Sequence, residues 1–343
     1  MSQEDMASAL QEVEIADYKA KLAKANQKCK WTQFLLRDAE RKLAAVLGVK
    51  DAIVGHTLKH IKVKQSRGSE STAVLVASDW HLEERVDPKT VDGVNEYNLE
   101  VSEARVERFF QNGLSMLEMC RTRGKIDTLV LGLLGDLITG YIHEELAESN
   151  YLSPVEATLQ AYMLTKGGID FLLREGKLKS LIVPCTVGNH SRTTQKMRVS
   201  TSVKNSYEWL LYQFLAMAYK DDERVRFEIA NGYFVFVDLY STKLRFHHGD
   251  DVRYQGGVGG LSIPLNKAIS QWNKMRRVDV DVLGHWHTRL NARDAVCNGS
   301  LIGFNPFSIH IKASYEPPSQ SFFLVHPDYG KTVEVPIWVE ERK

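Results

Sequence analysis

The chain has 343 residues, 43% of them hydrophobic and 25% charged, with 44 basic and 43 acidic side chains giving a formal net charge of +1. That composition excludes a disordered, collagenous or disulfide-rich chain, and the near-zero balance gives no bulk electrostatic argument for nucleic acid or a membrane surface. No apolar run approaches the ~20 residues needed to cross a bilayer, the polar start MSQEDMASALQEVE lacks the apolar core of a signal peptide, and the four cysteines are widely spaced. The expectation is a cytoplasmic protein with reduced thiols and no membrane partner.

Residues 1 to about 47 read as helix, rich in Ala, Leu, Lys, Glu and Gln, with no Pro and no Gly before Gly48. Leu36, Ala39, Leu43, Val46 and Leu47 form one helical stripe, which needs a cover and suggests a homo-oligomer through these helices as one solution. The polar, basic stretch Lys59–Ser71 reads as a linker. The expected division is therefore a helical extension and linker over 1–70 and one larger domain over 71–343.

Beyond Ser71 apolar runs alternate with amphipathic stretches, the pattern of an α/β domain. Strands are expected at 72–78, 127–134, 181–187, 243–247 and 280–283, helices at 102–122, 155–175, 203–220 and 261–276, and hairpins between about 295 and 338. Each of the five strands runs into a polar cluster: Asp79-Trp80-His81, Gly135-Asp136, Gly188-Asn189-His190, His248-Gly249-Asp250 and Gly284-His285-Trp286-His287. In α/β sheets the loops at the carboxyl ends of the strands converge, so these clusters should meet at one place. Asp, Asn and neutral His supply hard oxygens and borderline nitrogens, suited to Mn, Fe, Zn, Ni or Co and not to a thiolate centre. Seven candidates, Asp79, His81, Asp136, Asn189, His248, His285 and His287, are too many for one tetrahedral ion and about right for two. A close pair of divalent ions is the standard device for phosphoryl chemistry.

Singly, these pieces are common; in this order, each after an apolar run, they resemble the calcineurin-like metallophosphoesterase superfamily over residues 73 to about 300. The longer wording, including SDWHLEERVDPKTVDGVNEYNLE and GNHSRTTQKMR, resembles a phage and prophage group of these proteins, which would place the chain in a host cytoplasm. The resemblance implies a two-layer β-sandwich flanked by helices. It implies two divalent ions, Mn foremost: Asp79, His81 and His287 on one, Asn189, His248 and His285 on the other, and Asp136 bridging. His190 would contact the scissile phosphate and assist the leaving group, so His190 and Asp136 are the expected catalytic pair. Two departures stand out: Ser191 and Thr139 occupy positions where many relatives carry acidic or amide side chains.

His247 adjoins His248, but strand alternation sends the two to opposite faces, and the H-G spacing of the resemblance favours His248. Trp80 and Trp286 are expected to pack the ligand loops. Arg192, Lys196 and Arg253 are candidate substrate contacts, because cationic side chains beside such a centre can meet phosphoryl charge. The expected activity is hydrolysis of a phosphodiester, DNA or RNA foremost. Phosphomonoester hydrolysis is the alternative, and a metal-stabilised scaffold without chemistry ranks below both.

Overall fold

The computed structural model describes residues 70–253, 260–310 and 313–340, with scattered positions between 21 and 37 that are helical and exposed. The chain divides into two compact units, Met1–Leu58 and Lys59–Lys343. The stripe from Leu36 to Leu47, the basic linker residues and the glycines 256, 257 and 259 lie outside the described residues.

In the second unit the elements run β1 (Thr72–Ala77), α1 (Leu99–Arg121), β2 (Thr128–Leu133), a short α2 (Glu144–Ser149), α3 (Pro154–Glu175), β3 (Ser180–Cys185), α4 (Tyr207–Ala218), β4 (Val225–Ile229), β5 (Val235–Leu239), β6 (Thr242–Phe246), α5 (Ser262–Met275), β7 (Val280–Leu283), β8 (Leu290–Ala292), β9 (Ala295–Cys297), a short α6 (Pro306–His310), β10 (Ser319–His326) and β11 (Gly330–Trp338). They form two sheets, a six-stranded one in the order β11-β10-β1-β2-β3-β4 and a five-stranded one in the order β5-β6-β7-β9-β8. Strands β1 to β4 are mutually parallel, as are β6, β7 and β9.

Alternation along β1 explains the layering. Val74 and Val76 face inward with Val130, Ile182, Phe323 and Val325 and meet Val237, Leu244, Phe246, Val282 and Val296 of the other sheet in one buried cluster. Leu75, between them, lies on the opposite face of the strand against Gly113 of α1. Both faces of β1 are thus covered, which is why it reads as an unbroken apolar run. Helix α5 covers the second sheet through Leu265 and Ile269, packed with Leu283, Ala295 and Cys297. The architecture is the expected mixed α/β sandwich of two sheets flanked by helices.

Local signals set the helix starts. Asn98 caps α1 by accepting from Val101 N at 2.9 Å, and Ser153 and Glu156 form a capping box ahead of Pro154 in α3. Strands β4, β5 and β8 were not among the expected strands. Strands β4 and β8 have no fully buried residue, and β5 alternates buried with more exposed positions, so none shows the continuous apolar signal of the central strands. Among the described residues no helix is long and apolar enough to cross a membrane.

Candidate metal centre

The loops leaving β1, β2, β3, β6 and β7 meet at one end of the sandwich and interlock through their backbones. Asp79 N donates to Gly135 O at 3.0 Å, Trp80 N to Asp136 O at 2.8 Å, and Gly284 N to His248 O at 2.8 Å. Two glycines allow the approach. A Cβ on Gly188 would lie 2.0 Å from Asp136 Oδ1, and one on Gly284 would lie 2.5 Å from Asp79 Oδ2. Asp79, His81, Asp136, His285 and His287 all have φ between 49° and 71°. Left-handed backbone costs a non-glycine residue of order 1–3 kcal/mol, and such strain concentrates where surroundings enforce a functional geometry.

Two donor clusters result. In the first, His81 Nε2 lies 3.2 Å from His287 Nε2, and His287 Nε2 lies 3.4 Å from Asp79 Oδ1. In the second, His248 Nε2 lies 2.9 Å from Asp136 Oδ2, 3.0 Å from Asn189 Oδ1 and 3.2 Å from His285 Nδ1. Asp136 also groups with His81 and His190, so it stands between the clusters. His248 Nδ1 donates to Leu134 O at 2.7 Å, leaving Nε2 to face a carboxylate, an amide oxygen and another ring nitrogen. Donors about 2.1 Å from a shared ion stand roughly 3 to 3.4 Å apart, so both clusters fit divalent cations.

For His81 and His285, burial and neighbouring charges act in the same direction. Burial, reinforced by His190 and His287, pushes the His81 pKa well below its usual value; burial and His248 push His285 down to about 4. Both rings therefore keep a lone pair at neutral pH. Burial would raise the Asp136 pKa, but His248, His190 and His81 outweigh it and hold the carboxyl well below its ordinary range. Burial would also lower His248, yet the adjoining Asp136 carboxylate raises it well above the usual value. A cation bound there would displace that proton.

His190 Nδ1 lies 3.0 Å from Thr139 O, and its ring packs edge-on against His81. His247 instead lies buried beneath Trp272, with Nε2 3.4 Å from Asp281 Oδ1. Trp80 is fully buried, packs edge-on against Phe109 and Phe110 and donates to Gln320. Trp286 packs against the cluster beneath α5. Arg192 donates to the carbonyls of Asn189, Thr194 and Gln195 at 2.7, 3.1 and 3.4 Å, so it braces its own loop. Lys196 and Arg253 are exposed.

Sequence reasoning missed the carboxylates behind the ligands. Glu83 accepts from Thr139 N and Gly140 N at 2.8 to 3.0 Å. Glu84 lies 3.3 Å from Thr139 Oγ1, which in turn lies 3.1 Å from His81 Nδ1. Buried Glu208 of α4 accepts from the backbone of two ligand loops. Glu83 and Glu84 follow the D-x-H motif directly and were within reach of a search for acidic neighbours. Glu208 looks like an ordinary acid in a helix's first turn.

No family model and no curated protein matches the chain. Among solved structures, the chain is similar to Vps29 from Chaetomium thermophilum, at 15% identity and TM-score 0.30 over 74% of this chain and 83% of that one. It is also similar to a hypothetical protein from Pyrococcus horikoshii, at 11% identity and TM-score 0.38 over 79% and 89%. A third is a phosphatase from Mycoplasma pneumoniae, at 11% identity and TM-score 0.30 over 79% and 93%. At such scores the likeness carries neither activity nor ligand to this chain.

Proposed function

We propose that the protein is a dinuclear metal-dependent phosphoester hydrolase acting on phosphodiesters, with nucleic acid as the preferred substrate class. The observation that carries this reading is the pair of adjoining donor clusters with Asp136 between them. Asp79, His81 and His287 would hold one ion, Asn189, His248 and His285 the other, and Asp136 both. When bound, two divalent ions supply polarisation of the phosphoryl group and an acidified water nucleophile. The N/O donor set suits Mn, Fe, Zn, Ni or Co, and Mn is put first because the motif resemblance implies it.

The chain's own residues supply the rest. Leu134 O fixes the ring orientation of His248, and Ser78 Oγ, 2.5 Å from Asp79 Oδ2, orients that carboxylate. Thr139 O engages His190 Nδ1, which leaves Nε2 as the nitrogen able to carry a proton to the leaving oxygen. Nucleic acid is supported by the exposed cations Lys196 and Arg253 on loops that leave the donor clusters, and by the resemblance of the longer motifs to phage proteins.

The test is a screen of purified protein with Mn, Mg, Zn, Ni and Co against single- and double-stranded DNA, RNA, a bis-aryl phosphodiester and an aryl phosphomonoester. The expected result is metal-dependent cleavage of the diester and of a nucleic acid, weakening with salt by a log-log slope of about −0.7 to −0.9 per phosphate contact. Turnover of the monoester alone would replace this reading with a phosphomonoesterase. Metal binding without turnover of any substrate would favour a scaffold.

A further inference from the structure

The five ligand loops have different supports, and one support comes from a helix that contributes no ligand. Helix α4 begins at Tyr207, with Ser206 as its cap. From its first turn Glu208, fully buried, reaches the gap between the Gly135-Asp136 loop and the Gly188-Asn189-His190 loop. Its Oε1 accepts from Leu137 N at 2.6 Å. Its Oε2 accepts from Gly188 N and from Ser191 Oγ, both at 2.8 Å. Ser191 Oγ also lies 2.8 Å from Ser206 Oγ, and Ser191 O accepts from Tyr207 N at 2.9 Å. The start of α4 is thereby laced to the residue that follows His190.

The position of these donors gives the carboxylate its leverage. Leu137 is the neighbour of Asp136, and Gly188 and Ser191 bracket Asn189 and His190. The loops are also packed without slack, since any side chain at Gly188 would collide with Asp136. Alongside the direct bond from His190 N to Asp136 Oδ1 at 2.8 Å, a single group with two acceptor oxygens therefore ties together the loops that carry Asp136 Oδ2 and Asn189 Oδ1, the two oxygens that face His248 Nε2. The first cluster, Asp79, His81 and His287, makes no hydrogen bond to Glu208 among those described.

We infer that Glu208 is a positioning residue that clamps the Asp136 and Asn189 loops together and thereby sets the affinity of the second metal position selectively over the first. The inference rests on the proposed dinuclear reading. Glutamine at 208 preserves size but carries one acceptor oxygen and one NH2. Whichever way the amide turns, the NH2 must face Leu137 N–H or the Gly188 N–H and Ser191 pair, so the clamp cannot close on both loops. Partners that orient metal ligands typically contribute 10- to 100-fold in metal affinity.

The test is calorimetric and EPR titration of the full-length, chelator-stripped protein with Mn2+ alone, for wild type, Glu208→Gln and Ser191→Ala. Asp79→Asn and Asn189→Ala assign the two binding phases. The expected result for Glu208→Gln is a first-ion affinity close to wild type, a second-ion affinity weakened about 10- to 100-fold, and loss of the coupled two-Mn signal at sub-saturating metal. Ser191→Ala, which removes one donor and keeps the carboxylate, should shift the second phase in the same direction by less, and it carries the test if Glu208→Gln does not fold. Equal weakening of both phases would reduce Glu208 to a general structural role, and unchanged phases would overturn the inference outright. Wild-type protein that binds no Mn2+ would instead overturn the dinuclear reading beneath it.

Discussion

The two sides of the candidate centre are held by different means. Asp79, His81 and His287 are braced from within the β1 loop and from two other loops: Ser78 Oγ and the distant His285 N hold Asp79, and Glu83 and Glu84 engage Thr139 behind His81. Asn189, His248 and His285 are braced from afar, by Leu134 O, 114 residues from His248, and by Glu208 on a helix that supplies no donor. The first side draws on the loops after β1, β2 and β7 and takes no bond from α4 among those described. The second needs β2, β3, β6, β7 and α4 together. The β2 and β7 loops serve both sides, so the sides should fail separately only when a support private to one of them, such as Glu208 or Glu84, is cut.

The exception, and the largest expected effect, is Asp136, which belongs to both. Asp136→Asn should lower the content of both metals and nearly abolish hydrolysis, while Asp250→Asn, outside the donor clusters, changes activity modestly. Metal analysis alongside turnover checks this, and two bound ions with normal turnover in Asp136→Asn would remove the bridge.

His190 separates chemistry from metal holding on either side. His190→Gln should retain both ions and lose ~10²- to 10⁴-fold in rate on a poor leaving group, the usual worth of general acid catalysis. The loss should shrink for nitrophenolate, which departs without a proton. An equal loss for both leaving groups would instead mark His190 as a phosphate contact or a ligand.

Thr139→Val sharpens the contrast from the first side. The substitution keeps the shape of the side chain but removes the hydroxyl between His81 Nδ1 and Glu84. First-ion affinity should fall about tenfold, within the usual range for such partners, with the second phase unchanged. The same Mn2+ titration reads it, and a shift of the second phase alone would reverse the assignment.

The smallest effect is on pH dependence. Burial raises the Glu83 pKa to about 7, against the hydrogen bonds from Thr139 and Gly140, whereas the unfolded chain should titrate near 4.3. The native state therefore binds more protons between those values. The Glu83 contribution is fully present below about pH 4 and is lost as pH rises through about 7. The lowered pKa values of His81 and His285 act in the opposite sense, so the comparison must be differential. In chelator, the melting temperature of wild type minus that of Glu83→Gln should decline from pH 5 to 8. A flat difference would show that Glu83 is ionised throughout.

Much of this was legible in the chain itself. Five strands each running into Asp, Asn or His pointed to an α/β domain with converging loops and to seven candidate donors, because a strand that is buried on both faces must be apolar and must end where its polar residues begin. The two-sheet sandwich was an expectation of the resemblance that the motif order carries. The hairpin of β10 and β11 was equally plain. The pairing of β10 beside β1 was not, since a strand's apolar pattern does not name its neighbour. Nor could the sequence show that five of the donors adopt left-handed backbone, that Arg192 spends its guanidinium on its own loop, or that Glu208 leaves an ordinary helix start to clamp two loops. The strand pairing and the Glu208 clamp depend on groups brought together across tens to hundreds of residues, and the local backbone and side-chain geometry is fixed only once those loops are packed. Periodicity and motif spacing record which face a residue presents; which distant backbone N–H it meets there is decided by packing alone.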